Sequence, residues 1–540
     1  MQEVHKQIVF AEAGDQEPLT DWFSYLPVVL ALGGAGLMAG WRIAAGGEHF
    51  IADGALMMLA LACYVTAAAF QLTNLYAPSR FARRIGLWTT TLGVFFNLSS
   101  WLVRWVAAYG HEYAILRANG NPESPWVFRY IPFANLYDLS LAFAFGAGLA
   151  TLLIAHRKNY RFLGAFSLPL AALVLMLARF IGDEFIDLPP VLDSYWRPIH
   201  VGCASLSYGI GLVCFAVAVV YLLKDGLKTE LMAIWTSIFS LIVFATVSKF
   251  TVFTTGAYNA SVMLPVANGR SMNTALRLEL PFVGETLIAA ALLFVGVIVS
   301  FLIYQANDNE KARRVGHWLL KAAFVAQGAA VALYAWQIKF ITNVAGLLQA
   351  QIASDPLQLT ILGKWLLERQ GFKAEQIAAL SGQQITDAGS DFLITNLNSF
   401  FLSMKANPVE FSALVTALAA TMFVIIFSFR TEKLRESLPS LETLDGLMYV
   451  TASVTFAGLA ILLITGAVWA NESWGRYWGW DSKETGAFIA WLTYGAFLHT
   501  RISRGWVGRR SAYFALIAFL LIIFTYLGVS YLLPGLHSYA

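Results

Sequence analysis

Apolar stretches long enough to cross a bilayer recur throughout the chain, near 24–43, 54–77, 86–109, 136–155, 161–181, 200–223, 231–253, 281–305, 316–337, 409–429, 447–470, 484–502 and 512–533. A hydrocarbon core roughly 30 Å thick needs about 20 such residues in a helix, because a helix satisfies its backbone polar groups within one segment. The runs predict an all-α polytopic integral membrane protein with about thirteen transmembrane helices and an outer tryptophan-rich loop. Composition agrees: 58% of the 540 residues are hydrophobic and 13% charged, the latter about half the share in a soluble domain.

Orientation follows from short basic loops. Arg80, Arg83 and Arg84; Arg157, Lys158 and Arg161; Lys224 and Lys228; Lys311, Arg313 and Arg314; Arg430, Lys433 and Arg435; and Arg501, Arg504, Arg509 and Arg510 occupy alternate loops. The positive-inside rule makes these cytoplasmic, with the N-terminus inside and the C-terminus outside. His200, the tryptophan-rich segment after Trp469 and His537 then share the outer face. A net charge of +3 with no basic run excludes a nucleic-acid footprint. Cys63, Cys203 and Cys214 lie in apolar runs without a CxxC and read as small core residues. The polar, acidic start, 1–21, reads as lacking a cleaved signal peptide.

The organisation expected is N-terminal helices in 1–85, a helical unit in 86–223 that carries His200, inserted helices in 224–439 with an outer polar segment at 349–408, and a tryptophan-rich region in 440–540. Within the polar segment, 357–370 and 374–380 read as helix, with loop chemistry at Ser381, Gly382 and Gly389.

The chemistry concentrates between the eleventh and twelfth spans, in Trp469-Ala-Asn-Glu-Ser-Trp474-Gly-Arg476-Tyr477-Trp478-Gly-Trp480-Asp481-Ser-Lys483-Glu484-Thr485. Tryptophan gathers at membrane interfaces, so an aromatic belt is one reading. The glycines at 475 and 479 and the charges at 476, 481 and 483 suit a large flat ligand. Indoles stack on a π-system, glycines permit close approach, and Arg476 and Lys483 are placed to meet carboxylates. Haem has that shape and those propionates; belt packing or another amphipathic ligand remain alternatives.

Residues 466–485 resemble the tryptophan-rich "WWD" signature of the haem-handling proteins of cytochrome c biogenesis. Trp491-Leu-Thr-Tyr, Leu498-His499-Thr-Arg501, Phe524-Thr-Tyr-Leu-Gly528 and Leu533-Pro-Gly-Leu-His537-Ser-Tyr539 are similar to the CcsA (ResC) branch, System II. Upstream, Pro132-Phe-Ala-Asn135-Leu-Tyr137-Asp138 resembles that branch's Asn-Leu-Tyr-Glu segment, and Ser194-Tyr-Trp196-Arg-Pro-Ile-His200 the stretch with its first outer histidine. The pattern departs at Ser482, where the family usually has Pro, and at Gly486, where it usually has Trp.

The resemblance implies that His200 and His537 are axial ligands of an outer haem b, on a platform of Trp474, Tyr477, Trp478, Trp480 and Asp481. It implies that His499, about 22 Å into its helix, ligates a second, intramembrane haem whose other histidine comes from a ResB (CcsB) partner. His317 is the local alternative to that partner; His5, His49, His111 and His156 read as solvated or interfacial. The implied function is haem delivery, in the bacterial inner (cytoplasmic) membrane, to the Cys-x-x-Cys-His segment of an exported apocytochrome c, as part of a holocytochrome c synthetase complex. Rival readings are a cytochrome b-type redox subunit, which usually pairs histidines at helical spacing, and a transporter of an aromatic substrate, for which Arg104, Glu285 and Lys321 are the interior charges.

Overall fold

A computed structural model of the chain describes residues 25–46, 50–118, 120, 127–133, 135–181, 190–192, 194–248, 257–264, 272–339, 346–347, 350–351, 356–395, 401–402 and 408–529. Each apolar run coincides with a helix: α1 Leu26–Ala45, α2 Asp53–Tyr76, α3 Arg80–Ala118, α4 Leu136–Ala155, α5 Gly164–Ile181, α6 Trp196–Lys224, α7 Thr229–Ser248, α8 Val283–Asn307 and α9 Glu310–Lys339. Three short helices follow, α10 Pro356–Arg369, α11 Ala374–Ala378 and α12 Gly382–Thr395; then come α13 Pro408–Ser428, α14 Thr431–Ser437, α15 Leu441–Trp474, α16 Ser482–Arg504 and α17 Arg509–Ile523, the last ending in a π turn at Phe524–Gly528.

Among the described residues, eleven helices are long and apolar enough to cross a membrane. The other two expected spans, α3 and α16, are helical over 39 and 23 residues but more polar. Large apolar side chains point away from the bundle, among them Leu37, Leu292 and Trp318 at 78, 69 and 71% exposure. In water such a surface would be unfavourable; against lipid it is the solvent-matched face.

Among the described residues the helices form two large cores and a small third one, Leu367, Ile377 and Ile385, where α10, α11 and α12 meet. The first joins α1 to α6 with α15, α16 and α17; the second joins α7, α8, α9 and α13, so the insertion builds a bundle of its own. α5 packs against α13 and links the two.

The six basic loops gather at one end. Tyr76 Oη donates to Ile426 O at 3.0 Å, and Arg83, Arg161 and Ser437 line one crevice. Arg435 donates to the carbonyls of Leu223 and Leu227, both at 2.9 Å, Arg509 pairs with Asp225 at 2.6 Å, and Arg313 pairs with Glu230 at 2.7 Å. Arg501 embraces Asp445 with two hydrogen bonds. The alternation read from the sequence is thus a physical clustering.

Toward the other end, Asp53 (α2), Arg104 (α3) and Asp138 (α4) form a buried ion cluster. Arg104 is 1% exposed and bonds Asp138 and Asp53, its guanidinium lies 4.6 Å from the Tyr137 ring centroid, and Tyr137 Oη donates to Asp53 at 3.0 Å. Asn135 caps α4 by accepting from the Asp138 amide at 2.9 Å. The Asn135-Leu-Tyr137-Asp138 segment therefore starts a helix and neutralises a buried cation. Arg104 is tied into this cluster, and Glu285 and Lys321 are exposed, which weakens the transporter reading.

Three departures from the sequence reading stand out. α15 runs through Trp474 and is closed by Gly475 at φ 69°, whose N–H reaches Asn471 O at 2.9 Å, so the tryptophan loop is only 475–481. Gly382–Thr395 is a helix, because Gly389 and Gly363 let α12 and α10 touch at backbone distance; a Cβ on Gly363 would sit 1.8 Å from Ile385 O. Finally, the all-α frame carries a small antiparallel sheet of β1 Ala257–Leu264, β2 Met272–Glu279 and β3 Phe401–Leu402, in the order β2-β1-β3.

Candidate functional site

α6 and α15 pack antiparallel in close register, which fixes the floor of the site. Gly458 faces Ser207 and Gly466 faces His200: Cβ atoms there would lie 2.2 Å from Ser207 Oγ and 2.7 Å from His200 Cε1. Cys214, fully buried, packs its thiol 3.7 Å from Met448 O, in line with the core role expected of it. Gly466 thus makes room for the imidazole, and Leu462 O, one turn earlier, lies 2.9 Å from His200 Nδ1. A carbonyl only accepts, so Nδ1 carries the proton and the lone pair sits on Nε2. The Trp469 ring lies 5.6 Å from the imidazole and is itself fixed by donating Nε1–H to Leu192 O at 3.3 Å.

This arrangement gives a local test. Gly466→Ala is expected to lower stability by about 1–3 kcal/mol through overpacking, read as earlier thermal unfolding in detergent. Adding His200→Ala removes the clashing ring, so the double variant should recover most of that loss; strict additivity would show that the two positions do not touch.

The short loop is built around α16's start. Asp481 caps the helix, accepting from the Lys483 amide at 2.9 Å, and Glu484 reaches back to accept from the amides of Gly479 at 2.8 Å and Asp481 at 3.2 Å. Trp480 is held at φ 56°, in the left-handed region that favours glycine, which marks a constrained turn. Gly486 lies against the π turn: a Cβ there would be 2.6 Å from Thr525 Oγ1. The space a tryptophan would need at 486 is filled by Thr525, and the π turn aims Thr525 and Tyr526 at the site.

Between these elements lies a cavity of about 130 Å³, lined by His200, Trp474, Tyr477, Trp478 and Lys483 from the expected set. Arg476 packs over Gly479, and Asp481 serves the helix cap. Trp480 is 68% exposed and joins a row of rings that leads away from the cavity wall: Trp478 at 5.6 Å, Phe488 at 6.3 Å, then Trp491 stacked on Phe488 and on Phe456. His537 lies outside the described residues.

Sequence reasoning passed over Arg197 and Gly466. Arg197 lies one turn before His200 on the same face of α6, is 5% exposed, and lines the cavity, so two walls each present a cation. The signal available was its i, i+3 spacing to His200. The Trp478 indole nitrogen is buried on the cavity wall without a hydrogen-bond partner.

The sequence matches the family described as Cytochrome C assembly protein over residues 133–277 and 408–537, just over half of the chain. The chain belongs to this family. Its relatives include proteins named cytochrome c biogenesis protein CcsA from Prochlorococcus marinus (strain MIT 9515), 58% identical over 98 residues, and Synechococcus sp. (strain CC9902), 56% identical over 98 residues. The CcsA of Guillardia theta is 54% identical over 99 residues. Each match covers 18% of this chain and 31 to 33% of the relative, so the chain spans about a third of the length of the curated relatives it matches. The family match runs through α7 and resumes at α13, and residues 278–407 lie outside it.

The remaining histidines separate by environment. His499 is exposed on α16, 17 residues past Ser482, about 26 Å along the helix from the cavity end. His317 belongs to the second bundle, where its Nε2 lies 3.3 Å from Glu230 Oε1 and its ring meets Phe301 edge-on. That engagement argues against its service as a local partner to His499. His156 packs on Tyr25 with its centroid 4.6 Å away, His111 is exposed, and His5 and His49 lie outside the described residues.

Proposed function

We propose that this chain binds haem b at the His200 cavity and presents it on the outer face of the membrane for covalent attachment to apocytochrome c. The observation that carries the reading is the His200 imidazole, its Nδ1–H held by Leu462 O, set beside a cavity walled by Trp474, Tyr477 and Trp478. Haem iron takes imidazole through the nitrogen opposite such a backbone bond. Arg197 and Lys483 suit the propionates, and the Trp478 N–H offers a further donor. The cavity is smaller than the 300–1,000 Å³ of typical cofactor pockets, so seating a macrocycle requires the loop side chains to move; Tyr477, 60% exposed, has room to do so.

His537 is the second axial ligand in this reading, and thirteen crossings with the N-terminus inside put the tail and loop on the same outer face. The reaction is addition of each cysteine S–H of a Cys-x-x-Cys-His segment across a haem vinyl group, sulfur to one carbon and hydrogen to the other, with no electron acceptor needed. The chain contributes position: ligation by His200 fixes the iron, the indoles fix the plane, and the cations fix the rotation, so thiol and vinyl meet as if in one molecule.

In this reading a ResB/CcsB-like membrane partner supplies the second ligand to His499, which is exposed on α16. Co-expression in a host lacking its own maturation system tests this. Cytochrome c should mature, and haem should co-purify, only when both chains are present; full maturation by this chain alone would refute the partnership.

A further inference from the structure

The second bundle contains a buried carboxyl that the haem chemistry does not use. Glu410, in the first turn of α13, is 5% exposed, and neither of its oxygens has a hydrogen-bond partner. Ser412 beside it is 6% exposed, with an equally unpartnered hydroxyl. A carboxylate in a helix's first turn is favoured by the helix dipole. Here it accepts from none of the free first-turn amides, and no donor or counter-charge among the described residues offsets its burial.

The neighbours support this. α5, α7 and α9 pack against α13. Phe411 lies between Phe180 of α5 at 4.7 Å and Tyr334 of α9 at 5.1 Å. Among the described residues, the titratable or charged groups at this level are Tyr334, buried and stacked, and Arg179 of α5, which is exposed; α7 brings none.

Glu410 also ends a line of buried polar groups. At the basic end, Glu230 bonds Arg313 and His317. Ten residues farther along α7 and α9, about 15 Å, lie Ser240 and Gln327, both fully buried, with Ser240 Oγ and Gln327 Nε2 unpartnered. Thr421 of α13 donates to Gln327 Oε1 at 3.3 Å. Eleven residues back along α13, about 16 Å, is Glu410, on the same helical face as Thr421. Three polar levels therefore divide a distance of about 30 Å, the thickness of the hydrocarbon core, and unpartnered buried groups of this kind are where ordered water resides.

We propose that Glu410 is a proton-binding site: its carboxylate takes up one proton from water to give a neutral acid within the second bundle, beside the Ser412 hydroxyl.

Infrared difference spectroscopy of the full chain in lipid nanodiscs tests this. At neutral pH the wild type should show the carbonyl stretch of a protonated, buried carboxylic acid, shifted down in D2O, titrating away in strong alkali and lost in Glu410→Gln. Glu410→Asp should shift the band and keep it, which guards against a Gln variant that fails to fold. Absence of the band from the wild type would mean an ionised carboxylate with a cation beside it, and its persistence in a folded Glu410→Gln variant would assign it elsewhere; either result overturns the proposal.

Discussion

Replacing His200 with Gly is expected to reduce cytochrome c maturation more than tenfold and to allow partial recovery when imidazole is added. The ring is held in one orientation by Leu462 O and Trp469, and it borders a cavity that opens at the loop end of the bundle. If His200 ligates haem as proposed, its removal takes away an iron ligand and leaves a hole of the same shape, which free imidazole fits. Loss of an outer-sphere partner alone typically weakens metal binding 10- to 100-fold, and loss of the ligand itself is at least as severe. The same variant of His537 should behave alike if both ligate one iron. His499→Gly should differ, because about 26 Å of helix separates it from the cavity: haem should fall at the outer site as well, through loss of supply. Maturation measured at equal expression, with and without imidazole, distinguishes these outcomes. Normal maturation in His200→Gly would remove it from the site.

Arg104→Met should destabilise the protein by about 3–5 kcal/mol, the usual consequence of removing one partner from a buried ion pair. Arg104 is 1% exposed and Asp138 2%, so the mutation removes a buried guanidinium from between two carboxylates, Asp138 and Asp53. α4 begins at this cluster, and Ser140 of α4 bonds Tyr526, which lines the cavity. Haem retention should therefore fall along with stability. Asp138→Asn in the Arg104→Met background removes the negative charge that Arg104 faced and should restore much of the loss; thermal unfolding in detergent reads both. Equal stability of wild type and Arg104→Met would show that the cluster contributes nothing.

Hydrophobic run length was enough to place the helices. The span read at 136–155 is α4, Leu136–Ala155, and the other boundaries differ mostly at polar ends, where apolar content fades before the helix does. That is why Trp474 was read as loop: Asn471, Glu472 and Ser473 look polar, yet backbone bonding continues until Gly475 takes up the left-handed turn. Gly389 was read as a loop signal because a glycine's tertiary partner, here Leu359 O, is invisible in sequence. His200, Trp474, Tyr477, Trp478 and Lys483 were legible as residues of one site. Gly466 and Arg197 were not, since their roles depend on the register of α6 against α15, which only the packed pair of helices fixes. Asp481 was legible as important but for a different local task, the cap of α16.

The central claim is that His200 ligates haem in the cavity between α6, α15 and the tryptophan loop. The most direct measurement is the absorbance spectrum and haem content of the full chain, purified with its partner, for the wild type and His200→Gly at equal protein. A haem band with imidazole ligation in the wild type, reduced in His200→Gly and restored in shape by added imidazole, is the predicted result. Identical haem content and an identical spectrum in the two proteins would contradict it.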